Sequence, residues 1–379
     1  MPGPEKAGRF DIADIVRAHR AELESAYTLS PEQKRVLTDI ANCRTAALGG
    51  HLDRCTSCGY EHPSYNSCRN RHCPKCQALA QEKWIAEQRA RMLDVKHFHV
   101  VFTLPAELRA LAAFAPRTVY DALFHAASRT LLEFGESRLS ATIGATLVLH
   151  TWTRALRLHP HIHAIVTGGG LSLDGLRWQK ARRAFLFPIK AMSRVFRGKM
   201  LDEIKRAYEA GEFARFDDFQ DPEGIRRLLR TIANLAWNVY AKPTFSKGEH
   251  VLQYLGRYTH RVGISNSRLL EVTGEHVRFR TKDDGTETLS PVEFLRRFVQ
   301  HVLPVGFHKI RHIGLYASAP KREQAHIHLN LPPPVLRLSC WREQLLALTG
   351  RDVSVCPQCS SPLITVVVAR ARDPPELAA

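Results

Sequence analysis

In "HPHIHAIVTGGG" (residues 159–170), three histidines recur at every second position of an apolar run. Period two places His159, His161 and His163 on one face of a strand, with Ile162 and Ala164 on the other. Buried imidazoles are costly unless each ring is bonded. The row therefore suits a metal ion or a phosphate, with hydrogen-bonded core histidines as the plainer alternative. Two further His-x-His pairs compete, His97/His99 in "HFHVVFTL" and His326/His328 before "LNLPPP". The last falls outside any strand pattern, whereas the other two could be neighbours in one sheet. Imidazole alone suits zinc or iron as readily as other divalent ions.

Cysteine is the second chemical signal. Nine cysteines include three Cys-x-x-Cys pairs, 55/58, 73/76 and 356/359. Without an export signal before them, that spacing points to metal rather than disulfides. Fourteen residues lie between Cys58 and Cys73, and the two pairs predict one closed tetrahedral zinc site: Cys55, Cys58, Cys73 and Cys76. Cys43, His51, Cys68 and His72 are left over as candidates for a second zinc. Cys356 and Cys359 make half a site, to be completed by Cys340 or by His326/His328. Arg54, Arg69, Arg71 and Lys75 lie in the same stretch, and a basic zinc module is usually a nucleic-acid reader.

The third signal is a pair of phenols. In "SKGEHVLQYLGRYTHR", Ser246 and Glu249 have capping-box spacing, which predicts a helix over 247–258. Tyr254 and Tyr258 then share a face at i and i+4. Together with Val251 and Leu255 they also fit a buried apolar stripe.

Around these residues the chain must supply a scaffold. A composition of 44% hydrophobic and 24% charged residues is that of a globular protein, and 379 residues suffice for two or three domains. The net charge of +17 favours a polyanionic partner, nucleic acid before membrane. No apolar run approaches the ~18 residues of a spanning helix. The start, "MPGPEKAGRFDIADIV", lacks a signal peptide's apolar core, so a cytoplasmic location and no membrane partner are expected.

Residues 10–47 read as helical, with Ser30, Pro31 and Gln33 forming a capped start. Residues 48–76 lack apolar periodicity and need something other than a core to hold them. A linking helix follows in "AQEKWIAEQRARMLD". "HFHVVFTL", "ATLVLHTWT" and "HIHAIVT" read as strands, with helices near 106–135, 189–210 and 223–238. A hairpin ("RLLEVTG", "HVRFRTK"), a helix ("PVEFLRRFVQHV"), a strand ("KIRHIGLYA") and a helix near 340–348 complete the pattern. This order predicts an α+β fold, a mostly antiparallel sheet with helices packed on it. The expected organisation is a helical and zinc-binding DNA-binding domain (1–95), a catalytic domain (96–318) and a C-terminal segment with a zinc half-site (319–379).

Four stretches, "GGHLDRCTSCGYEHPSYNSCRNRHCPKCQ", "HFHVVFTLP", "HPHIHAIVTGGG" and "YLGRYTHRVGISN", together resemble transposases of the insertion sequence 91 type over residues 40–318. These are two-tyrosine transposases of the HUH class, named for a His-hydrophobic-His motif, with an N-terminal zinc domain. The resemblance implies an HUH endonuclease-like catalytic domain in which His161 and His163 hold a catalytic Mg²⁺ or Mn²⁺. It leaves the third ligand open among His159, His97, His99 and Gln253, with His159 first. It makes Tyr254 and Tyr258 the nucleophiles, forming a 5′-phosphotyrosine with single-stranded DNA. Arg257 and Arg261, beside the tyrosines, join Arg69, Arg71 and Lys75 as candidate DNA contacts. The implied partners are single-stranded DNA at the element ends and target DNA, and self-association into a homo-oligomer stays open. A rolling-circle replication initiator or relaxase would share this chemistry. A non-catalytic zinc-dependent regulator would leave the histidines idle, and a water-using His-metal phosphoesterase would leave the tyrosines idle.

Overall fold

The computed structural model describes residues 10–181, 187–219, 221–243, 256, 263–332 and 340–369. Helix α1 (Ile12–Ala26) starts where the Asp11 carboxylate accepts the Ala13 amide, and α2 (Pro31–Asn42) starts at the Ser30–Gln33 capping box. Then come strands β1 (Gly50–Cys55) and β2 (Glu61–Tyr65), and helix α3 (Ala78–Arg91). Strand β3 (His97–Thr103) leads into α4 (Arg109–Phe114) and the long α5 (Pro116–Leu139). Strands β4 (Ala141–Trp152), β5 (Leu158–Ser172) and β6 (Trp178–Lys180) follow, then α6 (Ile189–Glu209), α7 (Pro222–Asn234) and β7 (Val239–Pro243). Strands β8 (Leu269–Val272), β9 (Val277–Arg280) and β10 (Thr286–Leu289) precede α8 (Pro291–Val299) and β11 (Ile310–Gly314). The chain continues through α9 (Ala319–His328) and α10 (Trp341–Thr349) to β12 (Leu363–Ala369). The fold is α+β and its ladders are antiparallel. No described helix is long and apolar enough to cross a membrane.

The main sheet has the order β11-β4-β5-β3-β7, with β6 added to β5. Its two faces differ sharply, because alternate residues of each strand point opposite ways. One face presents Phe98, Val100, Phe102, Ala145, Leu147, Leu149, Ile162, Ala164 and Val166 to helices α4 to α7, forming the larger core. The other presents the histidines. There α3 lies across the sheet, and its Trp84 and Ile85 pack with Val148 and Ile165.

A second core does not follow chain order. Ile12, Ile15 and Val16 of α1 and Val36, Leu37 and Ile40 of α2 pack with Phe279, Phe294, Leu295 and Phe298 from β9 and α8. Cys43 and Cys73 lie at the edge of this core, buried against it. Strand β12, some 300 residues downstream, pairs with β1 in the sheet β12-β1-β2. The His326/His328 pair falls in α9, a helix, where a two-residue step cannot keep both rings on one face.

Candidate functional site

Strand β4 turns back as β5 through residues 153–157. The Thr153 amide donates to the Arg157 carbonyl at 3.0 Å, and Leu156 holds φ at 58°. The turn pairs Trp152 with Leu158, and a register shift between Trp152 and His150 then places His150 opposite His161 and Val148 opposite His163. His150, His161 and His163 therefore share one face, and a ring nitrogen from each lies within 4.8 Å of the others. Ring centroids are 4.3 Å apart for His150 and His163, and 4.9 Å for His161 and His163. Burial lowers all three pKa values, His161 to about 4 and the other two well below the usual range. Neutral imidazoles keep a lone pair each, the state a metal ligand requires.

The hydrogen bonds decide which nitrogen is offered. His161 Nδ1 donates to the His159 carbonyl at 2.7 Å, leaving Nε2 as the ligand atom. His163 Nδ1 lies 2.7 Å from His99 Nε2, and donation from His163 would leave its Nε2 for an ion. Three nitrogens converging from one sheet fit the donor set of a divalent ion.

His150 was not among the residues expected here. His159, expected first as the third ligand, stays outside the cluster: its carbonyl holds His161 while its half-buried ring lies beside it. The pair His97/His99 shares the histidine face through β3, which pairs with β5, but plays other parts. His97 Nε2 bonds the Tyr316 hydroxyl at 2.7 Å, and His99 supports His163. Gln253, Tyr254, Arg257, Tyr258 and Arg261 lie outside the described residues. Gly256, between the two tyrosines, is described and buried. A Cβ built there would come within 2.6 Å of Ile85 Cδ1, so this backbone lies directly on α3.

The cysteines group differently from the expected pairing of Cys55/Cys58 with Cys73/Cys76. Cys43, Cys68, Cys73 and Cys76 form one cluster, and Cys55, Cys58, Cys356 and Cys359 another, with the sulfurs of each within 4.8 Å of one another. The cause is tertiary. Strand β1 and the turn after it bring Cys55 and Cys58 beside β12, while Cys43 at the end of α2 faces the loop 66–77. The neighbouring thiols of Cys68 and Cys73 draw the Cys43 thiol down to about 7.

Neither expected histidine joins a cysteine cluster. His51 lies 3.9 Å from Asp53 on β1, and His72 is buried, its Nε2 facing the Leu303 amide at 3.5 Å. Arg71 and Lys75, expected on DNA, have partners within the chain. Arg71 donates to the Phe307 carbonyl at 2.7 Å, and Lys75 pairs with Asp11. Arg69 is exposed.

Comparison with known proteins agrees with this layout. The family described as "Transposase zinc-binding domain" matches residues 15–104, and the one described as "Putative transposase" matches residues 144–324. The "Putative transposase y4qJ" of Sinorhizobium fredii is 40% identical over 94% of this chain and 95% of its own. The "Transposase for insertion sequence element IS801" of Pseudomonas savastanoi pv. phaseolicola is 32% identical over 74% of this chain and 70% of its own. The chain belongs to the transposases of the insertion sequence 91 type. No solved structure matches it.

The cluster Cys43, Cys68, Cys73 and Cys76 falls wholly within the zinc-binding domain of this transposase. Four thiols closing on one point form a structural zinc donor set, with no position left for substrate. The histidine triad falls within the second matched region, 144–324.

Proposed function

We propose that this transposase nicks and rejoins single-stranded DNA through a covalent 5′-phosphotyrosine, moving its insertion sequence by a rolling-circle-like route. The observation that carries the reading is the triad His150, His161 and His163 on the face of the sheet that α3 crosses. His161 and His163, completed by His150, would hold Mg²⁺ or Mn²⁺. Such an ion supplies Lewis acidity towards the scissile phosphate.

The remaining chemistry belongs to the protein. The Tyr254 or Tyr258 oxygen attacks phosphorus, an O–P bond forms, and the bond to the leaving 3′ oxygen breaks. A phenol titrates near 10, so its proton must pass to a base as attack proceeds. A proton completes the freed 3′-hydroxyl. Rejoining reverses the step, and one phosphodiester is exchanged for another with no need of ATP. A second tyrosine allows a second strand to be cut while the first is still held. The position of Gly256, between the two tyrosines in sequence, supports the reading. This glycine lies against Ile85, which packs with Val148 and Ile165, the residues next along the face from His150 and His163.

The test is a labelled single-stranded end substrate incubated with divalent metal and then denatured. A protein–DNA adduct should form and map to Tyr254 or Tyr258, and the Tyr254→Phe/Tyr258→Phe double variant should fold and bind DNA without forming it. An adduct that persists in the double variant would refute the assignment of the nucleophiles. Nicking without an adduct would favour a water-using phosphoesterase, and binding without nicking a regulator.

A further inference from the structure

Cys55, Cys58, Cys356 and Cys359 come from stretches some 300 residues apart, and the family zinc domain ends at residue 104, far short of the second pair. Their two turns are built alike. In each, the amide after the second cysteine donates to the first cysteine's carbonyl, Gly59 to Cys55 at 3.1 Å and Ser360 to Cys356 at 2.9 Å. In each, the first cysteine's amide donates to the carbonyl five residues on, Tyr60 and Ser361, both at 2.8 Å. The residue after the second cysteine is left-handed in both, Gly59 at φ 75° and Ser360 at φ 59°. Cys55 and Cys356 are buried while Cys58 and Cys359 lie at the rim. Two matched turns thus face one another with their sulfurs converging.

The distances fit one ion. Cys55 and Cys359 sulfurs are 3.5 Å apart, and those of Cys58 and Cys356 3.6 Å. A tetrahedral zinc with bonds of about 2.3 Å sets its sulfurs roughly 3.8 Å apart. A disulfide would need about 2.05 Å.

The energetics of the segment also call for a ligand. Among residues 340–367, Cys356 alone is buried. Ile364, Val366 and Val367 of β12 stay 47%, 43% and 66% exposed, and α10 buries no residue. A segment with so little apolar burial gains too little to offset the entropy of ordering it. Yet β12 keeps register with β1 from Cys55/Leu363 to His51/Val367, starting beside the cluster.

We propose that Cys55, Cys58, Cys356 and Cys359 bind a second zinc ion that clasps the C-terminal segment onto the zinc-binding module. The clasp makes β12 the third strand of the module's sheet and sets α10 against α3, the helix that crosses the histidine face. The proposal does not depend on the nucleophile or on the catalytic ion.

Metal analysis of the full-length protein, purified with reductant and without chelator, should give two zinc ions per chain. Cys356→Ser/Cys359→Ser should give one, keep its helical circular dichroism, and become sensitive to protease beyond residue 340. Two zinc ions retained in that variant, or one in the parent, would overturn the clasp. If the variant fails to fold, alkylation of the parent decides the matter. Exposed Cys340 should label at once, whereas Cys55, Cys58, Cys356 and Cys359 should label together and only after a chelator is added. Labelling of Cys356 and Cys359 at the rate of Cys340, or release by reductant rather than chelator, would equally overturn it.

Discussion

The cluster Cys43, Cys68, Cys73 and Cys76 and the triad His150, His161 and His163 are both ligand sets, but they are held in opposite ways. The thiols sit on the end of one helix and a loop of residues 66–77 that has no regular element of its own. The imidazoles stand on two long paired strands whose other face is packed by four helices. Four thiols surround a point, whereas three imidazoles occupy one side of it. In the first case a bound zinc would hold the chain, and in the second the chain would hold an ion. Losing a ligand should therefore cost fold in one place and chemistry in the other.

The largest effect belongs to the thiols. A structural zinc in a small module contributes on the order of 10 kcal/mol to folding. Cys73→Ser should unfold the module, read as lost zinc and a lower melting temperature, and chelation of the parent should reproduce that loss. Because Arg71 ties this loop to the Pro304 and Phe307 carbonyls, the disturbance should reach the segment leading into β11. A Cys73→Ser protein that had lost this zinc and stayed as stable as the parent would erase the contrast.

Next comes the triad. His161→Ala or His163→Ala should lower strand cleavage by about 10³-fold, the scale of losing a major transition-state electrostatic contact. Melting temperature and DNA binding should stay near those of the parent, since the larger core is untouched. Leu149→Ala on the same strand sharpens the point. Its side chain is buried on the opposite face, so it should cost about 2–5 kcal/mol of stability while leaving metal-dependent cleavage measurable at low temperature. Were Leu149→Ala to abolish cleavage and His161→Ala to unfold the protein, the two faces would have exchanged roles.

What could be read beforehand divides along the same line. The Ser30–Gln33 capping box, strands β3, β4, β5 and β11 of the main sheet and the shared face of His161 and His163 are local properties, written in spacing and period, whereas the short β6 and β7 carried no such signal. His150 and the cysteine partition depend on which stretches meet. His150 stands in "ATLVLHTWT", and counting back from the 153–157 turn would set Pro160 opposite it; the register shift between His150 and Trp152, which no spacing announces, brings His161 there instead. A lone histidine in an apolar strand gives no reason to count. The three Cys-x-x-Cys pairs look alike in sequence, and only the return of β12 to β1 divides them. Arg71 and Lys75 looked like DNA contacts because charge is legible, whereas a carbonyl or carboxylate waiting in the fold is not.

The smallest expected effect, and the finest test of how the sheet holds an ion, lies at His99. Its Nε2 is 2.7 Å from His163 Nδ1, and burial, reinforced by the Lys242 charge, lowers its pKa to about 4. A neutral His99 can accept the His163 Nδ1 proton, which fixes the ring and leaves Nε2 of His163 with its lone pair. Removing such an outer partner costs metal affinity about 10–100-fold. His99→Ala should thus raise the Mn²⁺ concentration needed for half-maximal cleavage by that factor while saturating metal restores most of the rate. His99→Gln, whose amide oxygen can still accept the proton, should lie between the two. This pattern separates support from ligation, because loss of a ligand is not repaired by excess metal to the same extent. If His99→Ala left the metal dependence unchanged, the bond to His163 would be packing alone. If no metal concentration rescued it, His99 would belong among the ligands.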